Sequence, residues 1–275
     1  MNNLEAYKMD GLGNDFIIFD KRKKPISLSK EQIIKISDRN NVGCDQVIFI
    51  DKDKSSNAFL KFYNSDGGEI SACGNGSRCV AYLLMKENNN KKISLKTKVG
   101  ILQAELNDKN LVSINIGQPN FEWNKIPLSK QMDNKNLGIK INSKDGNEIK
   151  GGFSLSVGNP HVIFFVKDFN RFNLKEIGPK IENHSYFPEK CNVTLASIKN
   201  KKHVKVKVWE RGVGLTKACG TAACATTVSG AVLKLSERCV DIEFAEGIIN
   251  IDWKKDNNVY MRGEVSEVKK IVVNI

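Results

Sequence analysis

Histidine is scarce in this chain, with 3 among 275 residues, and its 7 cysteines include no C-x-x-C pair. Cys/His zinc sites and thioredoxin-like dithiols both need partners at short fixed spacings, so neither is expected, and no metal is. No apolar run reaches the roughly 18 residues of a membrane-spanning helix, so no membrane partner is expected. The opening MNNLEAYKMDGLGNDF lacks the basic start and unbroken apolar stretch of a secretion signal, which predicts a cytoplasmic protein with reduced thiols. GLGND at 11–15 supplies two glycines of a G-x-G-x-x-G and lacks the third, and G-x-x-x-x-G-K-[ST] does not occur. No cofactor is expected.

Positive charge, by contrast, is in excess: 43 Lys+Arg against 31 Asp+Glu give a net charge of +12. The cations are scattered in pieces such as KRKK at 21–24, KK at 91–92 and KNKK at 199–202. Such pieces read as solvated surface, not as a stripe that neutralises phosphates, and no nucleic-acid partner is expected. The length allows one large core or two moderate ones, and two lobes are expected.

The sequence repeats itself. LGNDFIIFD at 12–20 resembles VGNPHVIFFV at 157–166, which pairs Asn14 with Asn159 at a shift of 145 residues. DQVIFI at 45–50 falls on CNVTLASI at 191–198, with Gln46 opposite Asn192, and FYNSDGGEISACG at 62–74 falls on VWERGVGLTKACG at 208–220. There Asn64 meets Glu210 and Cys73 meets Cys219 at a shift of 146, a shift still held where Gly117 meets Gly263. Chance matches would drift between motifs, so the chain reads as a duplicated domain.

Each half has the same grammar. Short apolar runs (AYKM, FIIFD, VIFI, FLKFY, ISLKT, LQAEL, LVSINI) bounded by Asn, Asp, Gly and Lys predict strands. NGSRCVAYLLMKE and TAACATTVSGAVLKL, with apolar residues at helical spacing, predict one apolar helix per half. SKEQIIKISDR at 29–39 predicts a further helix capped by Ser29 and Gln32; NLKEIGPKIEN at 173–183 predicts its counterpart, interrupted at Gly178-Pro179. The fold class that follows is α+β, two pseudo-symmetric lobes from an internal duplication, each with strands around a central helix.

Cys73 and Cys219 lie at the N-terminal edges of the two apolar helices. Free N–H groups and the positive end of the dipole favour an anion there, which makes both candidates for reactive thiolates. The same N–H groups can hold a substrate carboxylate, and the glycine after each cysteine lets a ligand approach the backbone. At 100° per residue neither Cys79 nor Cys224 shares a face with its neighbour Cys73 or Cys219, so both are assigned to the core. Cys44, Cys191 and Cys239 are expected to be buried. Lobes facing each other would put the two thiols on opposite walls of one cleft, as inversion of a carbon centre by a matched acid and base requires. Arg211 is a candidate for a second carboxylate, which the amides Asn14, Asn159, Gln46 and Asn192 would help orient, and Asn64 and Glu210 are the other matched polar residues. His161 reads either as a cleft residue or as a satisfied structural histidine.

KMDGLGNDFIIFD, VGCDQ, FYNSDGGEISACGNGSRC, VGNPHVIFFV, CNVTLASI and WERGVGLTKACGT together resemble the diaminopimelate epimerases over nearly the whole chain. The resemblance implies a cofactor-independent epimerase that interconverts LL- and meso-2,6-diaminopimelate in lysine and peptidoglycan precursor synthesis. It makes Cys73 and Cys219 the paired acid and base, and Asn14, Gln46, Asn64, Asn159, Asn192, Glu210 and Arg211 the substrate contacts. It assigns Gly74, Asn75, Gly220 and Thr221 to the reacting end's carboxylate and His161 to the flank of the site. It also implies a curved, mostly antiparallel sheet or barrel around each helix, a homodimer, and lobes of 1–118 and 119–263, with 264–275 returning to the first. Cys44, Leu215, Ala222 and Arg262-Gly263-Glu264-Val265 depart from the family pattern, and Cys44 would add a thiol near the cleft. Two other readings remain: epimerisation of a different amino acid, and a thiol redox or binding protein that works through a reversible Cys73–Cys219 disulfide.

Overall fold

Among residues 3–275, those described by the computed structural model, the strands are interrupted by four α-helices: α1 (Lys30–Ser37), α2 (Gly74–Asn88), α3 (Leu174–Glu182) and α4 (Gly220–Val232). The chain divides into two units, Met1–Asn115 with Arg262–Ile275, and Ile116–Met261.

In the first unit the strand Asn14–Asp20 runs parallel to Gln46–Asp51, with α1 as the crossover between them. Gln46–Asp51 pairs antiparallel with Ala58–Asn64, which in turn pairs parallel with Lys92–Thr97 once the chain has passed through α2. A hairpin to Gly100–Asp108 follows. On the far side of Asn14–Asp20, the strand Asn3–Gly11 pairs antiparallel with it and with the chain's last strand, Lys269–Asn274. The second unit repeats this order: Pro160–Phe165 parallel to Asn192–Asn200 across α3, then His203–Glu210 antiparallel, then Cys239–Phe244 parallel after α4, then the hairpin to Gly247–Trp253. Register is repeated too. Phe16 pairs with Gln46, and His161 pairs with Asn192. The duplication read from the sequence is thus a duplication of strand pairing.

α2 is buried on every face from Asn75 to Met85, and α4 from Ala222 to Gly230, as helices enclosed by strands must be. Close approach at the start of α2 depends on Gly76, where a Cβ would come within 2.7 Å of Ile48 Cδ1 and 3.2 Å of the Phe16 and Phe62 rings. The corresponding residue of α4 is Ala222, one of the departures from the family pattern. At the register that Ile48 and Phe62 hold in the first unit, the second unit pairs the smaller Thr194 and Val208.

α1 has the capping box its sequence predicts, with the Ser29 hydroxyl accepting from Gln32 N and the Gln32 side chain accepting from Ser29 N. Ile33 and Ile36 pack it on Ile17, Phe19, Val47 and Phe49. α3 corrects an expectation, because it runs through Gly178-Pro179 without interruption. Pro179 costs one helical hydrogen bond, but Leu174, Ile177, Gly178, Ile181 and Glu182 form a continuous buried stripe, and that packing outweighs the local penalty. α4 is shorter than expected: it ends at Val232, and Lys234 turns left-handed (φ 58°).

Candidate active site

Cys73 and Cys219 are the N-cap residues of α2 and α4. Their backbones match closely, with φ −140° and ψ 117° at Cys73 and φ −141° and ψ 110° at Cys219. The Cys73 carbonyl accepts from Ser77 N at 2.8 Å and the Cys219 carbonyl from Ala223 N at 3.1 Å. In both units, therefore, the sulfur sits over a helix start whose first N–H groups have no helical partner, the local arrangement that favours a thiolate or a bound carboxylate. Gly74 and Gly220 are the first residues of the two helices, with Asn75 and Thr221 next.

Around Cys73, Gly76 N donates to Sγ at 3.4 Å, and Asn14 Oδ1 lies 3.8 Å from Sγ. Asn14 is held by Asp45, whose Oδ2 accepts from its Nδ2 at 2.8 Å. Behind them Arg39 bonds both Asp15 and Asp45, and Lys8 bonds Asp15. Burial pushes the Asp15 carboxyl up, but the hydrogen bonds from Arg39 and Lys8 outweigh it and hold the group at about 2. Gln46 and Asn64 face each other across adjacent strands, with Gln46 Nε2 donating to Asn64 Oδ1 at 3.0 Å. Gln46 Oε1 is buried and has no donor among the described residues. Asn75 is buried, and Arg78 Nη2 donates to its Oδ1 at 2.8 Å.

Cys219 is more enclosed, at 6% exposure, and its Sγ lies 3.5 Å from Thr221 Oγ1. Burial first, and then the Glu210 carboxylate, push the Cys219 thiol well above its ordinary range. Burial likewise raises Glu210, partly offset by the Thr216 and Cys219 side chains. Asn159 Nδ2 reaches Thr221 Oγ1 at 3.5 Å, and its Oδ1 accepts from His161 Nε2 at 2.9 Å. His161 is wholly buried; burial and then the Arg211 charge hold it down to about 3, so the ring is neutral and supports Asn159. Asn192 Oδ1 accepts from Arg211 N at 3.0 Å while its Nδ2 donates to Pro160 O. The Arg211 side chain is exposed, with Nη1 donating to Glu189 O.

Asn14, Gln46, Asn64, Gly74 and Asn75 thus lie in the first unit with Cys73, and Asn159, His161, Asn192, Glu210, Arg211, Gly220 and Thr221 in the second with Cys219. Sequence reasoning missed Asp45, Arg78 and Glu182. Glu182 is buried at the end of α3 and accepts from Trp209 Nε1 at 2.7 Å and Gly212 N at 2.9 Å, which fixes the turn bearing Glu210 and Arg211. A charged residue falling on the apolar stripe of a helix was the available signal.

The other cysteines divide. Cys79, Cys224, Cys191 and Cys44 are buried, and burial pushes the Cys44 thiol up. Cys239 is exposed, against expectation, because its strand position points away from the core face held by Val240 and Ile242. Leu215 is exposed and pairs with Trp209, and Val265 is buried and exchanges backbone and side-chain bonds with Asn110.

The family model for diaminopimelate epimerase matches residues 6–122 and 153–268 of the chain. A diaminopimelate epimerase of Pelagibacter ubique (strain HTCC1062) is 52% identical, over 99% of this chain and 100% of the relative. One from Acidiphilium cryptum (strain JF-5) is 38% identical, over 95% and 93%. Among solved structures, a phenazine biosynthesis protein of Bacillus anthracis shares the fold with a TM-score of 0.70 at 18% identity, over 100% of both chains. A hydroxyproline epimerase from Agrobacterium vitis shares it with a TM-score of 0.63 at 11% identity, over 99% and 93%.

Proposed function

The chain belongs to the diaminopimelate epimerase family, and we propose that it interconverts LL- and meso-2,6-diaminopimelate with Cys73 and Cys219 as the two proton carriers. The observation that supports this most is the matched pair of cysteine N-caps, one in each copy of a duplicated fold. A cysteine in one copy alone would serve a nucleophile or a structural cap. Two in equivalent backbone geometry suit a reaction that treats the two faces of one carbon alike.

In this mechanism one sulfur, as thiolate, removes the α-proton, and the other, as thiol, delivers a proton to the opposite face; the reverse reaction exchanges the roles. The proton taken passes to solvent and the proton given is replaced from it, so the cycle closes without an oxidant. The α-carboxylate takes the N–H groups of Gly74, Asn75, Gly220 and Thr221, where the helix dipoles stabilise the charge that builds up as the α-carbon loses its proton. Glu210, Asn64 and the donor-free Gln46 Oε1 are the acceptors available for ammonium groups. Arg211 is the exposed cation for the far carboxylate, its main chain held by Asn192. His161 acts on the substrate only through Asn159. The proposal includes work in the cytoplasm as a homodimer, on the strength of the family resemblance; light scattering on the purified enzyme reads the dimer.

Proton NMR of the reduced enzyme in D₂O with LL-diaminopimelate tests the reading. Loss of the α-proton signal together with appearance of the meso isomer is expected. Exchange with another L-amino acid but not with diaminopimelate would overturn the substrate. No exchange across a panel, with a reversible Cys73–Cys219 disulfide, would overturn the enzyme in favour of a redox protein.

A further inference from the structure

Arg78 is the largest fully buried side chain of the described residues, at 0% exposure, and it has no part in the proton transfers proposed for Cys73 and Cys219. A guanidinium cannot shed its charge as a lysine or histidine can, so its burial places a permanent cation inside the first unit. Helical side chains lean toward the N-terminus of their helix, and Arg78 does so far enough for Nη2 to bond Asn75 Oδ1 in the first turn of α2. The same Nη2 lies 3.5 Å from the point where a Cβ on Gly11 would stand, beside the Asn75 carbonyl and Cys79 Sγ. On its other side the Nη1 edge of the guanidinium abuts Gly263, where a Cβ would overlap Nη1. The cation is therefore lodged beneath the turn whose N–H groups face Cys73, and Arg78 and Cys73 both act electrostatically on the Cys79 thiol that lies among them.

The duplicated fold contains its own control. At the shift that pairs Cys73 with Cys219, Arg78 is matched by Cys224, which is buried and carries no such charge. At the same shift Asn64 is matched by Glu210. One copy adds a cation and keeps a neutral amide; the other omits the cation and adds an acid.

Resting on the two-thiol reading, we propose that Arg78 is a positioning residue that biases the anionic member of the pair toward Cys73, leaving Cys219 as the protonated member in the resting enzyme. The charged groups that face this cluster include Arg262 and Glu264, one of each sign, on either side of Gly263. Asp10 lies near Cys79 and opposes Arg78 in part. Behind Asn14, Asp15 and Asp45 are matched by Arg39 and Lys8. On the strand Lys92–Thr97 packed against α2, Lys92 pairs with Glu105 and Lys96 with Asp53, while Glu267, in the loop before the strand Lys269–Asn274, accepts from Tyr82 of α2. Asn14 Oδ1, 3.8 Å from the sulfur, favours a proton there, but it is a neutral dipole set against a full charge and a backbone N–H.

The test is the rate of iodoacetamide alkylation against pH in the full-length enzyme, read for each cysteine by peptide mass spectrometry, with the exposed Cys239 as an internal reference. In the wild type Cys73 is expected to react with a lower midpoint than Cys219. Arg78→Met should raise the Cys73 midpoint by about one pH unit or more, leave Cys239 unmoved, and shift the acid limb of kcat/KM by the same amount. Arg78→Lys should restore part of the shift at pH values where the buried ammonium keeps its proton, which a purely structural role would not reproduce. Gly263→Ala, which evicts the guanidinium without deleting it, should move the midpoint in the same direction, and it decides the matter if Arg78→Met does not fold. Unchanged Cys73 midpoints in folded Arg78→Met or Gly263→Ala would overturn the proposal. A wild type that catalyses no α-proton exchange would instead overturn the two-thiol reading beneath it.

Discussion

The Cys73 and Cys219 helix starts share backbone angles to within a few degrees and differ in almost everything around them. Cys73 is partly exposed, receives a hydrogen bond from Gly76 N and has the buried Arg78 below its helix turn. Cys219 is enclosed, makes no side-chain cap bond and has Glu210 beside it. Duplication gave both units the same helix start, and divergence gave the two helix starts different electrostatics. In the proposed mechanism two identical thiols would compete to hold or to lose one proton, and unlike environments would assign it.

Removing either thiol breaks the comparison altogether. Cys73→Ala and Cys219→Ala should each lower kcat for epimerisation by about 10²–10⁴-fold or more, the usual worth of a positioned acid or base. Full turnover by either variant, followed by the NMR assay, would show that a single thiol suffices. Glu210→Gln makes the second half resemble the first, where Asn64 stands. Without the carboxylate the Cys219 thiol should ionise at lower pH, and kcat/KM should fall by roughly 10–100-fold as the second site loses both its protonated thiol and an ammonium acceptor. An alkylation midpoint at Cys219 that does not move down would remove Glu210 from the electrostatic account.

His161 and Phe16 stand at the same register in the two copies, paired with Asn192 and Gln46. In the folded protein His161 stays neutral down to about pH 3, whereas in the unfolded chain it takes up a proton near the ordinary histidine value of about 6.5. Protons therefore bind preferentially to the unfolded state, and stability falls as pH drops from about 6.5 toward 3, by at most about 1.4 kcal/mol per pH unit. His161→Phe, which copies the first unit, should remove that part of the acid slope in urea melts at pH 7 and pH 4.5. It should also lower activity by releasing Asn159. An unchanged slope would mean that the buried ring contributes nothing to acid sensitivity.

Much of this was legible beforehand because it is local or periodic. The Ser29/Gln32 capping box, the two apolar helices and the repeated strand runs each declare themselves within a dozen residues, and the constant shift tied Asn14, Gln46 and Cys73 to Asn159, Asn192 and Cys219. What was hidden depends on packing. Pro179 does not break α3 because the stripe through Ile177 and Ile181 is anchored elsewhere. Cys239 is exposed because the face a strand residue takes is set by its partners. Arg78 and Glu182 look like surface charges until the strands close round their helices, and Asp45 matters only once its strand lies beside Asn14.

The smallest difference between the copies, one methyl group, tests how far they can be interchanged. Gly76→Ala would push a Cβ into Ile48 Cδ1 and the Phe16 and Phe62 rings, and overpacking of this kind costs about 1–3 kcal/mol. The second unit tolerates Ala222 at that place with Thr194 and Val208 at the paired positions, so Ile48→Val should recover part of the loss by removing the atom that the new methyl meets first. Because the strain falls in the first turn of α2, it should move the N–H groups that face Cys73 and reduce kcat more than KM. Ala222→Gly should cost less than about 1 kcal/mol, mostly through backbone freedom in the unfolded chain. Urea midpoints and kinetics on the three single variants and the Gly76→Ala/Ile48→Val pair would read this directly. Equal losses at the two helix starts would mean that side-chain size at the paired strand positions does not explain which copy carries the glycine.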